Sequence, residues 1–389
     1  MTSNARTPTF EWHQARAVAA GAASVLDAET VNLESAIGRI LAGDLLALVD
    51  VPHYASSAMD GWAVSGAGPW RVVHETILRG GHASPILTGG VIPSGADAVL
   101  RSESGMVRAG RLETIAHSGE PHPGQHIRAS GQEAGVGDLV IRAGTLLNPA
   151  HVALAAGCGR DDLGVIRRPR VQLLLTGDEV DETGIPGPGR VRDSFGPQLP
   201  SVLRMLGAEV ISRRRLRDDL AATVETLGRS PGSAELIVTT GGTGDSAADH
   251  LRSALRALNA EFLVPRIAMR PGGPTMLARL PDGRLLLGLP GNPLAAMIGL
   301  LTLGTPLLAA FLGRASEVGR EVSAGRLEGR AGTSILVPFR VEHAGAAPND
   351  WLGSGMMRGL ADAAGVLVVP PAGVRAGEDV ETLTLPWSR

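Results

Sequence analysis

The chain contains no lysine; its 36 basic side chains are all arginine. A site that needs a cation must therefore use a planar arginine fork, which behaves differently from an ammonium. There is one cysteine, Cys158, which excludes an intramolecular disulfide and a cysteine zinc site and fits a reducing compartment. No run of basic residues accompanies the formal net charge of -3, so nucleic acid is not an expected partner. The ten histidines show no metal-ligand spacing with an acidic partner, which argues against a zinc hydrolase. Neither a Gly-x-Ser-x-Gly elbow nor a Walker sequence is present. Met1 to Phe10 is polar, so no signal peptide is expected. Leu294 to Leu312 is long and apolar enough to span a bilayer, but Thr302, Thr305 and Pro306 interrupt it. A buried helix, kinked or broken near Pro306, is expected instead, with no membrane partner and a cytoplasmic location.

What is present is a globular chain of 389 residues with 44% hydrophobic content, long enough for two to four domains. Helices are expected over Trp12 to Leu26 and Glu34 to Leu41. From about Leu45 to Gly135 the texture is rich in Gly, Pro, Ser and His with short β-like runs, which suggests a small β-domain. A strand at Asp138 to Ile141 and a helix with Pro149 in its first turn follow. After Arg168-Pro169-Arg170, a plausible hinge, strands and helices alternate. Strands are expected at Val171–Leu175, Ala208–Ser212 and Glu235–Thr240, with helices at Pro200–Leu206, Leu220–Leu227 and Leu251–Leu258. That alternation predicts an α/β domain with a doubly wound, mostly parallel sheet. Thr275 to Leu289 reads as a hairpin about Asp282-Gly283. Beyond Arg314 the pattern is β-like again. The expected domains are 8–44 with 136–168 as a helical linking domain, 45–135 as a β-rich domain, 169–313 as the α/β domain, and 314–389 as a C-terminal β-barrel-like domain.

Three loops follow strand ends of the α/β pattern, where ligands of open sheets bind. They are Thr176-Gly177-Asp178-Glu179, Thr239 to Asp249, and Leu289 to Pro293. The second holds Gly241-Gly242-Thr243-Gly244 between a strand and a helix. That arrangement suits phosphate because glycine lets backbone N–H groups approach an anion closely. A plain strand-to-helix turn fits the same residues. Asp178, Glu179, Asp245 and Asp249 come towards one edge, and carboxylates beside a phosphate turn suggest Mg²⁺; for Asp178 and Asp249, capping a helix or turn is the other reading. In the β-rich region, Ser57-Ala58-Met59-Asp60-Gly61-Trp62 is a loop that core packing does not explain.

These motifs, in this order, resemble the molybdopterin molybdenumtransferases (molybdenum insertases), a family that includes the C-terminal domain of gephyrin. The matches are Ser57 to Val64, Thr88-Gly89 with Pro93 to Val99, Thr176 to Glu179, Arg217-Asp218-Asp219, Gly241-Gly242-Thr243 with Asp249, and Pro290-Gly291-Asn292-Pro293. The resemblance implies a four-domain subunit in a homodimer, which inserts molybdate into adenylylated molybdopterin with Mg²⁺ and releases AMP. Asp60, Glu179 and Asp249 would then be catalytic, with Asp60 reaching the cleft from the β-domain of the partner subunit. Asp249 and Asp219 would hold the metal. Thr88, Asp178, Ser194, Gly241, Gly242, Thr243, Arg270, the Pro290 to Pro293 loop and Ser354 would hold the pterin and phosphates. Contact with other molybdenum cofactor enzymes is a further expectation.

The chain also departs from the family pattern. Lys-Pro-Gly-Lys-Pro is here Arg270-Pro271-Gly272-Gly273-Pro274, which lacks one cation. Asp-Ser-Asn is Asp193-Ser194-Phe195, and Gly-Glu-Asp is Gly131-Gln132-Glu133. Ser-x-Gly after the Gly-Gly pair is Gly244-Asp245-Ser246. Ala295 and Gly359 stand where serine is usual. The alternatives are thus an active insertase, a catalytically impaired paralogue that binds molybdopterin or a partner protein without turnover, and an enzyme acting on a different nucleotide.

Overall fold

Val171 to Leu175 and Leu236 to Val238 are nearly unbroken apolar runs, the pattern of strands covered on both faces. In the computed structural model, which describes residues 8–115, 120–229, 234–244 and 250–388, they form the centre of a six-stranded sheet. Its spatial order is Glu209–Arg215, Arg170–Leu175, Leu236–Thr240, Leu285–Leu289, Met276–Arg279 and Glu261–Val264. The first four strands are parallel, and Met276–Arg279 runs antiparallel between Leu285–Leu289 and Glu261–Val264, its pair with Leu285–Leu289 being the hairpin expected about Asp282-Gly283. Alternation sends Leu173 and Val238 to one face, where they pack with Leu199 and Leu203 of helix Phe195–Met205 and with the apolar helix Pro293–Gly299. Leu174 and Ile237 point to the other face, against Leu227 of helix Leu220–Gly228 and Leu251 and Leu255 of helix His250–Ala257. Helices therefore cover both faces, as the doubly wound reading requires.

Three helices differ from the sequence expectation. The helix expected at Pro200–Leu206 starts at Phe195, because Asp193 Oδ1 accepts from the N–H groups of Phe195 and Gly196 at 2.9 Å each. That cap outweighs the preference of Pro200 for a first turn. The N-terminal helix is Trp12–Gly21 and stops well before Leu26, whose N–H donates to Phe311 O instead. The second helix is only Leu33–Ala36, since Gly38 adopts φ +75° and turns the chain towards Leu147.

The long apolar stretch is a buried, interrupted helix. Pro293–Gly299 is α-helical, Leu300–Gly304 is a π-helical turn, and Thr305–Phe311 is α-helical again. Pro306 has no N–H to give Thr302 O, its usual acceptor. The N–H of Thr305 reaches Leu300 O, which bypasses Leu301 O. Arg16, from helix Trp12–Gly21, supplies the missing donors: its guanidinium donates to Leu301 O at 3.1 Å and Thr302 O at 3.2 Å. Trp12 Nε1 adds a bond to Thr302 Oγ1 at 3.3 Å. By length and composition this stretch could cross a membrane, yet 83% of it is buried inside the fold.

All of this lies in one compact unit, comprising Met1–Ala28 and Ile166–Arg389. Its second sheet has Met269–Arg270, Ser334–Glu342, Gly365–Val369, Asp379–Thr384 and Gly319–Val322 in order, with Gly345–Pro348 paired to Ser334–Glu342. The strand Met269–Arg270 thus leaves the α/β segment to pair with Ser334-Ile335.

The other unit is Glu29–Val165. It contains a six-stranded sheet of Ala98–Arg101, Gly61–Val64, His82–Ile86, Trp70–Val72, Arg111–Thr114 and Gly105–Arg108. Helix Pro149–Gly157 has the expected proline in its first turn, and Asn148 and His151 form a reciprocal capping box.

Candidate functional site

In the unit of Glu29–Val165, the Met-Asp-Gly loop is a built turn. The hydroxyl of buried Ser57 donates to Met59 O at 2.5 Å. Gly61 adopts φ +153°, and a Cβ there would lie 2.0 Å from Leu100 O, so only glycine lets the loop enter its strand. The turn presents Asp60 to solvent beside Thr88. Thr88 N donates to Asp60 Oδ1 at 2.6 Å, and its hydroxyl donates to the same oxygen at 2.8 Å. The backbone bond first, then the hydroxyl, holds the Asp60 carboxyl below the ordinary carboxylate range. Asp60 and Thr88, distant in sequence, are therefore one carboxylate and its orienting donor.

In the other unit, three adjacent parallel strands end together. Thr176 hydroxyl donates to Thr240 O at 2.5 Å. Gly241 N donates to Leu289 O at 2.9 Å, so this N–H of the turn is taken up by the neighbouring strand. The N–H groups of Gly242 and Thr243 have no acceptor among the described residues. Gly241 and Gly242 lie at φ +82° and +64°, where only glycine is comfortable. A Cβ on Gly291 would sit 3.7 Å from Gly241 Cα, so the Pro290–Pro293 turn lies directly beside the glycine turn. Thr243 is buried, and its carbonyl accepts from Arg252 Nε at 3.0 Å. Arg252 also donates to Pro265 O at 2.8 Å and so braces the turn from beneath. Nothing in the sequence pattern pointed to Arg252 beyond its place on a helix face.

A small pocket opens at these strand ends, lined among others by Thr176, Arg217, Asp218, Thr239, Gly242 and His250. Thr239, which lines this pocket, is 2% exposed, and its hydroxyl has no partner among the described residues. Asp178 and Glu179 are exposed at the same edge. Asp178 N donates to Asp218 Oδ2 at 3.3 Å, and Asp178 O accepts from Arg190 at 3.2 Å. Arg190 is held above its ordinary pKa by its ion pair with Asp181, with Glu179 and Asp178 adding to it.

The remaining expected residues fall as follows. Asp219 caps helix Leu220–Gly228, one carboxylate oxygen accepting from Ala222 N at 2.7 Å. Ser194 precedes helix Phe195–Met205 without capping it; Asp193 does that and also pairs with Arg215 at 2.6 Å. Asp245 and Asp249 lie outside the described residues. Among those described, no group of three or more His, Cys, Asp or Glu side chains is arranged to hold a metal.

Arg270 is exposed at the end of its short strand, next to the turn Pro271 to Pro274. A Cβ on Gly272 would meet Ala295 O at 3.0 Å, and Ala295 N donates to Ser354 O at 3.1 Å. Ala295 is thus where the Arg270 turn, the Pro290–Pro293 loop and the Ser354 loop meet. Two departures from the family pattern are built into the backbone. A Cβ on Gly273 would lie 3.0 Å from Met269 O and 3.2 Å from Ile267 O, and one on Gly359 would lie 2.3 Å from Asp350 O.

Residues 10–159 match the family described as MoeA N-terminal region (domain I and II), and residues 172–310 match the probable molybdopterin binding domain. The molybdopterin molybdenumtransferase of Staphylococcus aureus (strain MRSA252) is 30% identical, the match covering 92% of each chain. Molybdopterin molybdenumtransferase 2 of Mycobacterium tuberculosis is 32% identical over 73% of this chain and 75% of its own. The crystal structure of the molybdopterin biosynthesis moea protein from Pyrococcus horikosii superposes with a TM-score of 0.79 at 27% identity, covering 97% of this chain and 99% of that one. The sheet with helices on both faces, the turns at its strand ends and these relatives lead to one assignment: the chain belongs to the molybdopterin molybdenumtransferase family of molybdenum cofactor biosynthesis.

Proposed function

We propose that the chain transfers molybdenum from molybdate to adenylylated molybdopterin, with Mg²⁺ assisting and AMP leaving. The observation that carries this reading is the convergence of Thr176, Gly241–Thr243 and Pro290–Pro293 at the ends of three adjacent parallel strands. Cleaving the phosphoanhydride puts negative charge on the oxygen that leaves with AMP. Backbone N–H groups of Gly242 and Thr243 and the guanidinium of Arg270 are the groups that would stabilise it. Asp60, fixed by Thr88, and Glu179 are proposed to orient the oxyanion or water.

The donor set suits a metal shared with substrate. Mg²⁺ is held by one or two carboxylates plus substrate phosphates, and the described acidic residues at this edge, Asp178, Glu179, Asp218 and Asp219, are exposed and form no ligand cluster of three or more. Asp249 and Asp219 are the proposed ligands, Asp219 through the oxygen that does not cap its helix. Bound there, the ion would neutralise phosphate charge. Homodimerisation, a cytoplasmic location and contact with other molybdenum cofactor enzymes belong to the same proposal.

The test is direct. Purified protein, adenylylated molybdopterin, Mg²⁺ and molybdate should release AMP, and Asp249→Ala should stop it. Release unaffected by that substitution would remove Asp249 from the mechanism. A second reading is favoured by Gly273 and Gly359, where neighbouring carbonyl oxygens leave little space for the side chains usual in the family. In that reading the chain binds the pterin without turnover, and tight binding with no AMP release would establish it.

A further inference from the structure

We propose that Arg358, stacked on Trp351, grips a tetrahedral oxyanion of the substrates. The proposal takes its ligand class from the function proposed above. It concerns a residue that none of the motifs contains.

The loop that carries the pair is held in place at several points. Buried Asn349 donates its side-chain N–H to Gly359 O at 2.6 Å, and its backbone N–H donates to Pro338 O at 2.8 Å. Gly359 packs so closely on Asp350 O that no side chain fits. Met356 N closes an inner turn on Gly353 O. Within this frame Trp351 takes φ +65°, in the left-handed region that a bulky residue enters only when its surroundings force it. Its exposed ring carries the Arg358 guanidinium at 4.8 Å from the ring centroid.

Arg358 has no ion-pair partner among the described residues; neither Asp350 nor Asp362, close to it in the chain, pairs with it. Many of this protein's arginines do have one, including Arg190, Arg215, Arg284 and Arg340. Stacking on an indole fixes the plane of a guanidinium while its N–H edge remains able to grip two oxygens of one oxyanion. The loop's position gives that edge a ligand. Ser354 O accepts from Ala295 N, and Gly355 lies beside Asn292 Oδ1, 3.9 Å from where its Cβ would be. A Cβ on Gly272, next to Gly273, would lie 3.0 Å from the carbonyl oxygen of the same Ala295. Ala295 thus adjoins both the turn that lacks a cation and the loop that carries Arg358, an arginine with no ion-pair partner among the described residues.

Phosphate and molybdate are both tetrahedral oxyanions, so the test uses each separately. AMP and sodium molybdate are titrated calorimetrically into the full chain in Mg²⁺ buffer, for wild type, Arg358→Gln, Arg358→Lys and Gly241→Ala. Loss of one charge-assisted, two-point contact should weaken the affected ligand by about 10- to 100-fold in Arg358→Gln. Arg358→Lys should fall between, with an unchanged melting temperature in both. The ligand that weakens identifies the oxyanion held. If AMP binds and weakens in Gly241→Ala while Arg358→Gln matches wild type for both ligands, the proposal is overturned and the site reading stands. If wild type binds neither ligand, both are overturned.

Discussion

Replacing Arg16 by methionine tests how the long apolar helix tolerates its proline. Arg16 is 6% exposed and sits over the Trp12 ring at 5.1 Å, so methionine keeps most of its packing. Two effects oppose each other. Burial lowers the guanidinium pKa from its ordinary value to about 10, only partly offset by Glu381. At about 1.4 kcal/mol per pKa unit, removing the charge relieves roughly 3 kcal/mol of desolvation. That cost is fully present at neutral pH and is relieved only as pH rises above about 10, where the buried form can lose its proton. Against it stand three hydrogen bonds from a charged donor, to Leu301 O, Thr302 O and Ser316 Oγ. Each is worth about 1.5–3 kcal/mol, and the two carbonyls would be left buried without a donor. The bonds should win, and Arg16→Met should lose about 2–5 kcal/mol. Urea unfolding followed by tryptophan fluorescence would show a lower midpoint for the transition that reports Trp12. A midpoint equal to or above wild type would refute the reasoning, because it would mean the π-helical turn needs no outside donor.

Three further outcomes follow from the site. Thr88→Val removes the hydroxyl bond but keeps the backbone bond, so the Asp60 pKa should rise part of the way to its ordinary value. Because the folded-state pKa is depressed, Asp60's stabilising contribution holds above the unfolded value of about 3.9 and fades as pH falls through the folded one. A carboxyl-carbon NMR titration should show the variant fading at higher pH, and an unchanged titration would deny Thr88 its role. Asp219→Ala should cost roughly 0.5–2 kcal/mol through the lost cap, whereas Asp219→Asn should retain stability; if Asp219 also binds Mg²⁺, only the metal dependence of AMP release will change in Asp219→Asn. Gly241→Ala would place a Cβ 2.5 Å from Thr176 Oγ1 at φ +82° and should destabilise by roughly 1–3 kcal/mol, read in chemical denaturation.

The sequence showed the parallel sheet because buried strands write themselves as short apolar runs, as at Leu173-Leu174-Leu175. Its turns were visible because glycine marks positive φ, as at Gly241 and Gly242. The helix starting at Phe195 was hidden by competition between two signals, the proline at 200 and the aspartate at 193. Which N–H groups of a glycine turn are free depends on the neighbouring strand; Leu289 O, distant in sequence, takes the one from Gly241. The bracing by Arg252 and Arg16 was illegible for the same reason: an arginine on a helix shows no sign of which carbonyl, hundreds of residues away for Arg16, lacks a donor.

The short strand Met269–Arg270 has a consequence for how the chain can be cut. It belongs in sequence to the α/β segment, but its ladder partner is Ser334-Ile335. A fragment beginning after Phe311 would therefore start with an open strand edge along Ser334 and Ile335, able to recruit other chains. Removing that fragment would strip Arg270 of the neighbour that fixes its backbone, so the loss would be felt at the cation and not only at the terminus. The C-terminal sheet is best regarded as completed by a residue pair borrowed from the α/β segment. Its melting and the ordering of Arg270 should then occur as a single event.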